Sequence, residues 1–187
     1  MRRCRTEEMW NAITHSFGLG MCLSFFMVGD IQTRVITSML CLTYLFSVLY
    51  HGTEKQSIKN TFRMMDMASI HATIACTSVS YLIIGDAGIF PAIVCLVAGA
   101  AGSQFVIASY GTTFLERTAV FSFVANGVLC LMLIVFCTSS LSPYFVVGSV
   151  VYLLGLRFYV HDYIRFYHTV WHVFVLVASL IHVLGTM

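Results

Sequence analysis

Two histidines four residues apart, His168 and His172, stand near the start of an otherwise apolar run. On a helix that spacing puts both imidazoles on one face, one turn apart. His51 ends an earlier apolar run, Asp66 opens the next, and Ser47 precedes His51 by one turn. An ionisable group inside a membrane costs roughly 2.5–3.5 kcal/mol on insertion scales, which makes each of these a candidate functional group. Three imidazole nitrogens, with a carboxylate nearby and water in the fourth position, are the donor set of a catalytic zinc site; four protein ligands would make it structural. The Ser47 hydroxyl should share the face of His51, within reach of a bound water or a substrate oxygen. Other readings stay open on these residues alone. Histidines at helix ends also serve as interfacial anchors, and Asp66 can cap a helix or pair with Arg63. Haem is another use of membrane histidines, but it takes ligands from opposite sides of the macrocycle, and two neighbours on one face suit zinc better.

The elements that must position these groups follow from composition. Of 187 residues, 59% are hydrophobic and 10% charged, with a mean hydropathy of +0.88. A soluble domain carries roughly 25% charged residues, so this chain needs an apolar solvent. Within a bilayer only helices and closed barrels satisfy their own backbones, and long unbroken apolar runs choose helices. The small net charge of +2 implies no nucleic-acid surface. Cys22, Cys41, Cys76, Cys95, Cys130 and Cys137 lie in apolar runs and no CxxC pair occurs. Disulfides and cysteine–zinc knuckles are therefore not expected, and any metal falls to histidine and carboxylate.

The apolar runs predict an all-α integral membrane protein, a single seven-helix transmembrane domain over residues 1–187. The expected helices are Trp10–Val28, Val35–Tyr50, Met64–Ile84, Phe90–Tyr110, Thr118–Thr138, Tyr144–Tyr159 and Tyr167–Thr186, the second and sixth being short for a core of ~30 Å. The first run shows no small-residue cleavage pattern and is expected to remain as a helix. Seven crossings put Arg2, Arg3, Arg5, Lys55, Lys59, Arg63, Arg117, Arg157 and Arg165 on one side and leave Arg34 on the other. The positive-inside rule then predicts a cytoplasmic N-terminus and an extracytoplasmic C-terminus. His51, Asp66, His168 and His172 all fall at the cytoplasmic ends of their helices, a convergence independent of the Lys and Arg count.

In order along the chain, Glu7-Glu8-x-x-Asn11-x-x-Thr14-His15, Ser47-x-x-x-His51, Asp66 and His168-Thr-Val-Trp171-His172 with Phe174-Val175 resemble the hemolysin III family, as does His182 ten residues on. That family is grouped with the progestin and adiponectin receptors and, more remotely, the alkaline ceramidases. The resemblance spans residues 7–182. It implies a seven-helix bundle with Zn2+ near the cytoplasmic end, His51, His168 and His172 as ligands, Asp66 holding the zinc-bound water, and Ser47 beside it. The chain departs from the family's pattern in Met67-Ala68-Ser69-Ile70-His71 and in Cys76-Thr77-Ser78-Val79, which replaces a proline-containing stretch. Neither departure removes a ligand.

The expected function is a zinc-dependent hydrolase of a lipid amide or ester, with Asp66 as general base and Ser47 stabilising the oxyanion; membrane lipids are the expected partners. The alternatives are a membrane receptor or a membrane-homeostasis or cytolytic protein in which zinc is structural. Among the remaining histidines, His15 is expected near the site, His71 in helix packing and His161 in solvent. His182 lies about 15 Å from His172 by helical rise, too far for the same metal. Ala98, Gly99, Ala101, Gly102, Gly148 and Gly155 suggest close helix contacts.

Overall fold

The computed structural model describes residues 4–187, apart from the side chains of Glu116 and Arg117. Seven helices account for the described chain, with no strand: α1 (Arg5–Val28), α2 (Ile31–Gly52), α3 (Gln56–Ile84), α4 (Ile89–Ser109), α5 (Thr113–Cys137), α6 (Pro143–Val160) and α7 (Tyr167–Leu184). Each is long and apolar enough to cross a membrane.

The bundle carries its apolar side chains outward. Phe136 is 80% exposed and Ile89 78%, whereas Asn11, Thr33, Thr37, Ser47 and Ser179 are fully buried. That distribution suits lipid as solvent. Polar groups then pair inside: Thr43 and Thr73 join α2 to α3 at 2.7 Å, and the Tyr81 hydroxyl donates to the His182 carbonyl at 2.9 Å. Apolar packing fills the rest. Cys22, Ile36, Leu40, Tyr44 and Val183 join α1, α2 and α7, while Ala68, Val106, Leu115, Ala119 and Phe123 join α3, α4 and α5.

Four helices start at least four residues earlier than expected, because polar residues extend helices past the apolar runs. A helix satisfies its own backbone whatever its side chains are. α1 starts at Arg5, and its first turn is tied back by Glu7 Oε2 accepting the Cys4 N–H at 3.2 Å. α2 starts just after Asp30, whose side chain accepts the Thr33 N–H at 2.9 Å. That bond holds the Asp30 carboxyl below its usual range. α5 starts after Thr112, which caps it through the Leu115 N–H. α3 begins at Gln56, so Lys59 and Arg63 stand on helix rather than in a connection. Asp66 then lies nearly three turns inside α3, too deep to cap it. Of the basic residues counted for topology, Arg2 and Arg3 lie outside the described residues, as does the Arg117 side chain.

Helix directions follow from the pairings. Glu8 meets His51 and His15 meets Tyr44, so α1 and α2 are antiparallel. Thr169 bonds Asn11 and His172 meets His15, so α1 and α7 run parallel. The C-terminal end of α2 and the N-terminal ends of α1 and α7 therefore meet at one end of the bundle. His71 sits elsewhere, buried between α3 and α5. Its Nε2 lies 3.2 Å from the Ser122 hydroxyl and its Nδ1 3.1 Å from the Asn126 amide. Gly102 on α4 makes room for that ring, since a Cβ there would come within 2.6 Å of His71 Cε1. His182 is stacked on Phe145 and bonded to its carbonyl at 3.2 Å. Both histidines are held by α5 or α6, away from the cluster at the α2–α7 end.

Candidate metal centre

His51 is the penultimate residue of α2, and His168 and His172 occupy the first two turns of α7. All three are buried, and one ligand atom from each lies within 4.8 Å of the others. The rings converge at angles rather than stacking: His51 and His168 centroids are 5.2 Å apart at 57°, His51 and His172 are 5.0 Å apart at 68°, and His168 and His172 are 4.7 Å apart at 57°. The His51–His172 pair is edge-on and the other two are tilted, so it is the closeness of the nitrogens rather than the ring angles that suits a shared cation.

Their outer nitrogens are engaged. His51 Nδ1 donates to Glu8 Oε2. His172 Nδ1 donates to the Asn11 carbonyl at 3.2 Å and lies 3.3 Å from the Thr14 hydroxyl. His168 Nδ1 faces Asp162 Oδ2 at 3.9 Å, an ion-pair distance rather than a hydrogen bond. With Nδ1 turned outward in each case, Nε2 is the atom presented to the interior. Three neutral imidazoles offering one nitrogen apiece can hold a metal ion such as zinc and leave a position open.

The other expected site residues are placed as follows. Ser47 is fully buried one turn below His51, and its hydroxyl has no hydrogen-bond partner among the described residues. Asp66 is half-buried on α3. The Thr43–Thr73 bond fixes the antiparallel register of α2 and α3. Two turns along each helix from that pair, on the same faces, are Tyr50 and Asp66, so Asp66 comes level with the His51 end of α2. His15 lies against the cluster, as expected, and stacks on His172. His161 is half-buried, and its Nδ1 donates to the Arg157 carbonyl at 2.8 Å in an exposed bond that caps the end of α6.

A cleft of about 1500 Å³ opens at this end of the bundle and reaches His51, passing Glu8, Tyr50, Lys59, Arg63, Asp162 and Arg165. Asp162 carried no signal in the sequence beyond its neighbour His161. Phe166, just before α7, adopts a left-handed conformation (φ 64°) that a bulky side chain rarely takes. Its N–H donates to Glu7 Oε1 at 2.6 Å, so α1 also anchors the turn that delivers His168.

Comparison with known proteins finds relatives that match along most of the chain. The sequence model of a family described as haemolysin-III related matches residues 4–183. A hemolysin-3 homolog of Bacillus subtilis (strain 168) is 30% identical across 92% of this chain and 89% of its own length. Hemolysin-3 of Bacillus cereus is 23% identical across 92% and 87%.

Proposed function

Since the chain belongs to the haemolysin-III-related family and is an integral, multi-pass membrane protein, we propose that it is a zinc-dependent hydrolase of a lipid amide or ester. One observation carries the reading. Three buried histidines bring one ligand atom each within 4.8 Å of one another, and one helical turn before His51 lies a fully buried serine hydroxyl that no described residue satisfies. A buried hydroxyl without a partner costs roughly 1–3 kcal/mol. A bound water or a substrate oxygen would recover that cost.

Zinc, when bound, supplies Lewis acidity toward a carbonyl and lowers the pKa of coordinated water toward ~7. Everything else falls to the chain. Asp66, level with His51, takes the proton of the attacking water. Ser47 donates its hydroxyl to the carbonyl oxygen as charge develops there. The cleft past Tyr50 and Lys59 admits water from the aqueous boundary. The apolar helix faces suit a substrate whose chains stay in the bilayer while its amide or ester sits at headgroup depth.

Purified protein assayed on ceramides, other acyl-amides and phospholipid esters, with and without a chelator, tests the proposal. Turnover that stops on chelation and returns with zinc is expected. If none of these is hydrolysed while chelation melts the fold, the ion is structural and the protein is a membrane receptor or regulator instead.

A further inference from the structure

Resting on the metal reading above, we infer that Glu8 is a positioning residue for the centre, holding His51 by Nδ1 so that Nε2 is presented to the ion. A carboxylate only accepts, so the hydrogen of the contact sits on His51 Nδ1 and the lone pair on Nε2. Carboxylate–histidine–metal chains of this kind fix the ring's tautomer and orientation and raise its basicity.

The hold is needed at this ligand in particular. His51 is one residue from the end of α2, where the terminal carbonyls have no intrahelical partner and the backbone frays. Its two partners in the cluster sit on a single helix face and hold each other's spacing by helical geometry. His51 has no such neighbour, and α1 supplies the constraint from outside.

Glu8 is itself fixed. Its second oxygen takes the Lys59 ammonium at 3.0 Å, with both side chains 17% exposed, and Lys59 lies over the Tyr50 ring at 4.8 Å. One carboxylate thus joins α1 to α2 through one oxygen and to α3 through the other. A surface ion pair would swing with its long side chains; this one is clamped between two other helices. One turn on, the Asn11 carbonyl does for His172 what Glu8 does for His51. That acceptor is backbone and beyond the reach of substitution. Glu8 is the charged side chain on His51, whose Nδ1 also has the Asn11 amide at 3.5 Å.

The test uses the full chain in detergent, with zinc affinity measured by competition against a chromogenic chelator. Glu8→Ala is expected to weaken zinc binding by about 10–100-fold. Glu8→Gln should bind nearly as tightly as wild type, because its amide oxygen still accepts from Nδ1–H. With cobalt in place of zinc, Glu8→Gln should nonetheless shift the visible bands, since an amide is a weaker acceptor than a carboxylate. Lys59→Met, which frees Glu8 from α3 but leaves the His51 contact in place, should weaken binding by less than Glu8→Ala does. Wild-type affinity in Glu8→Ala would overturn the inference. Where Glu8→Ala does not fold, a Glu8→Gln cobalt spectrum superimposable on wild type overturns it equally. Wild type that takes up neither metal would instead bring down the metal reading itself.

Discussion

His15 lies flat against His172, with ring centroids 3.6 Å apart and planes inclined by 7°. A metal bound through a ring nitrogen sits in the plane of that ring. The lone pairs of His15 run in a parallel plane and miss an ion held by His172, so closeness to the cluster does not make it a fourth ligand. Both its ring nitrogens are buried without a hydrogen-bond partner among the described residues. His15→Phe is expected to keep the stack and the full metal content. By removing two unsatisfied polar atoms it should leave stability unchanged or raised by up to ~1 kcal/mol. His15→Ala leaves a cavity and should cost about 2–4 kcal/mol. Elemental analysis and thermal melts of the two variants check this; metal lost from His15→Phe would make His15 a ligand after all.

Metal content is the second prediction. Purified protein is expected to carry about one zinc per chain, the stoichiometry of a single three-histidine centre. His51→Ala, His168→Ala and His172→Ala should each remove most of it. His182→Ala should not, because that ring is committed to Phe145 on α6. Chelation should lower the melting temperature of wild type, as loss of any ligand bound only by the folded state does. A Soret band with little zinc would identify the ligand as haem.

The seven apolar runs announced seven helices, and the i, i+4 spacing of His168 and His172 announced a shared face. Both properties are local, and both are visible in one dimension. The start of α3 was not visible, because Gln56–Arg63 is polar enough to read as a connection although it forms more than two turns of helix. The meaning of the α1 residues was hidden for a different reason. Glu8, Asn11, Thr14 and His15 belong to the motif that carries the resemblance, and His15 is expected near the site, but their spacing names no partner. What each touches depends on α1 lying antiparallel to α2 and parallel to α7, with Glu8 meeting His51 and His15 meeting His172. Asp162 depends on the turn before α7, which no periodicity describes. The candidate ligands could be read from the sequence; the groups that touch them required the packing.

Orientation across the membrane gives the third prediction. An odd number of crossings separates the connection Thr53–Lys55 from the C-terminus. The division of Lys and Arg then predicts a cytoplasmic connection. A reporter inserted after Thr53 is expected to be cytoplasmic, and one fused after Met187 extracytoplasmic. Both reporters on the same side would contradict the crossing number, and an extracytoplasmic reporter at Thr53 would move the histidine cluster to the opposite face.

Asp66 is where the enzyme and a purely structural metal part company. Asp66 sits on α3, whereas the three histidines come from α2 and α7. Asp66→Asn preserves size and hydrogen-bonding reach but removes the basic carboxylate. If Asp66 takes a proton from the attacking water, the variant should keep its zinc while turnover falls by about 10²–10⁴-fold, the usual cost of losing general-base catalysis. Were Asp66 a direct ligand, zinc affinity would fall along with the rate, and competition against a chelator separates the two. Ser47→Ala is the companion variant. Removing a buried hydroxyl that no described residue satisfies should leave the melting temperature nearly unchanged, whereas loss of one oxyanion donor should slow turnover by about 10²–10³-fold. Rates unchanged in both variants, with zinc retained, would remove both residues from the chemistry and leave the histidines as a structural clasp between α2 and α7.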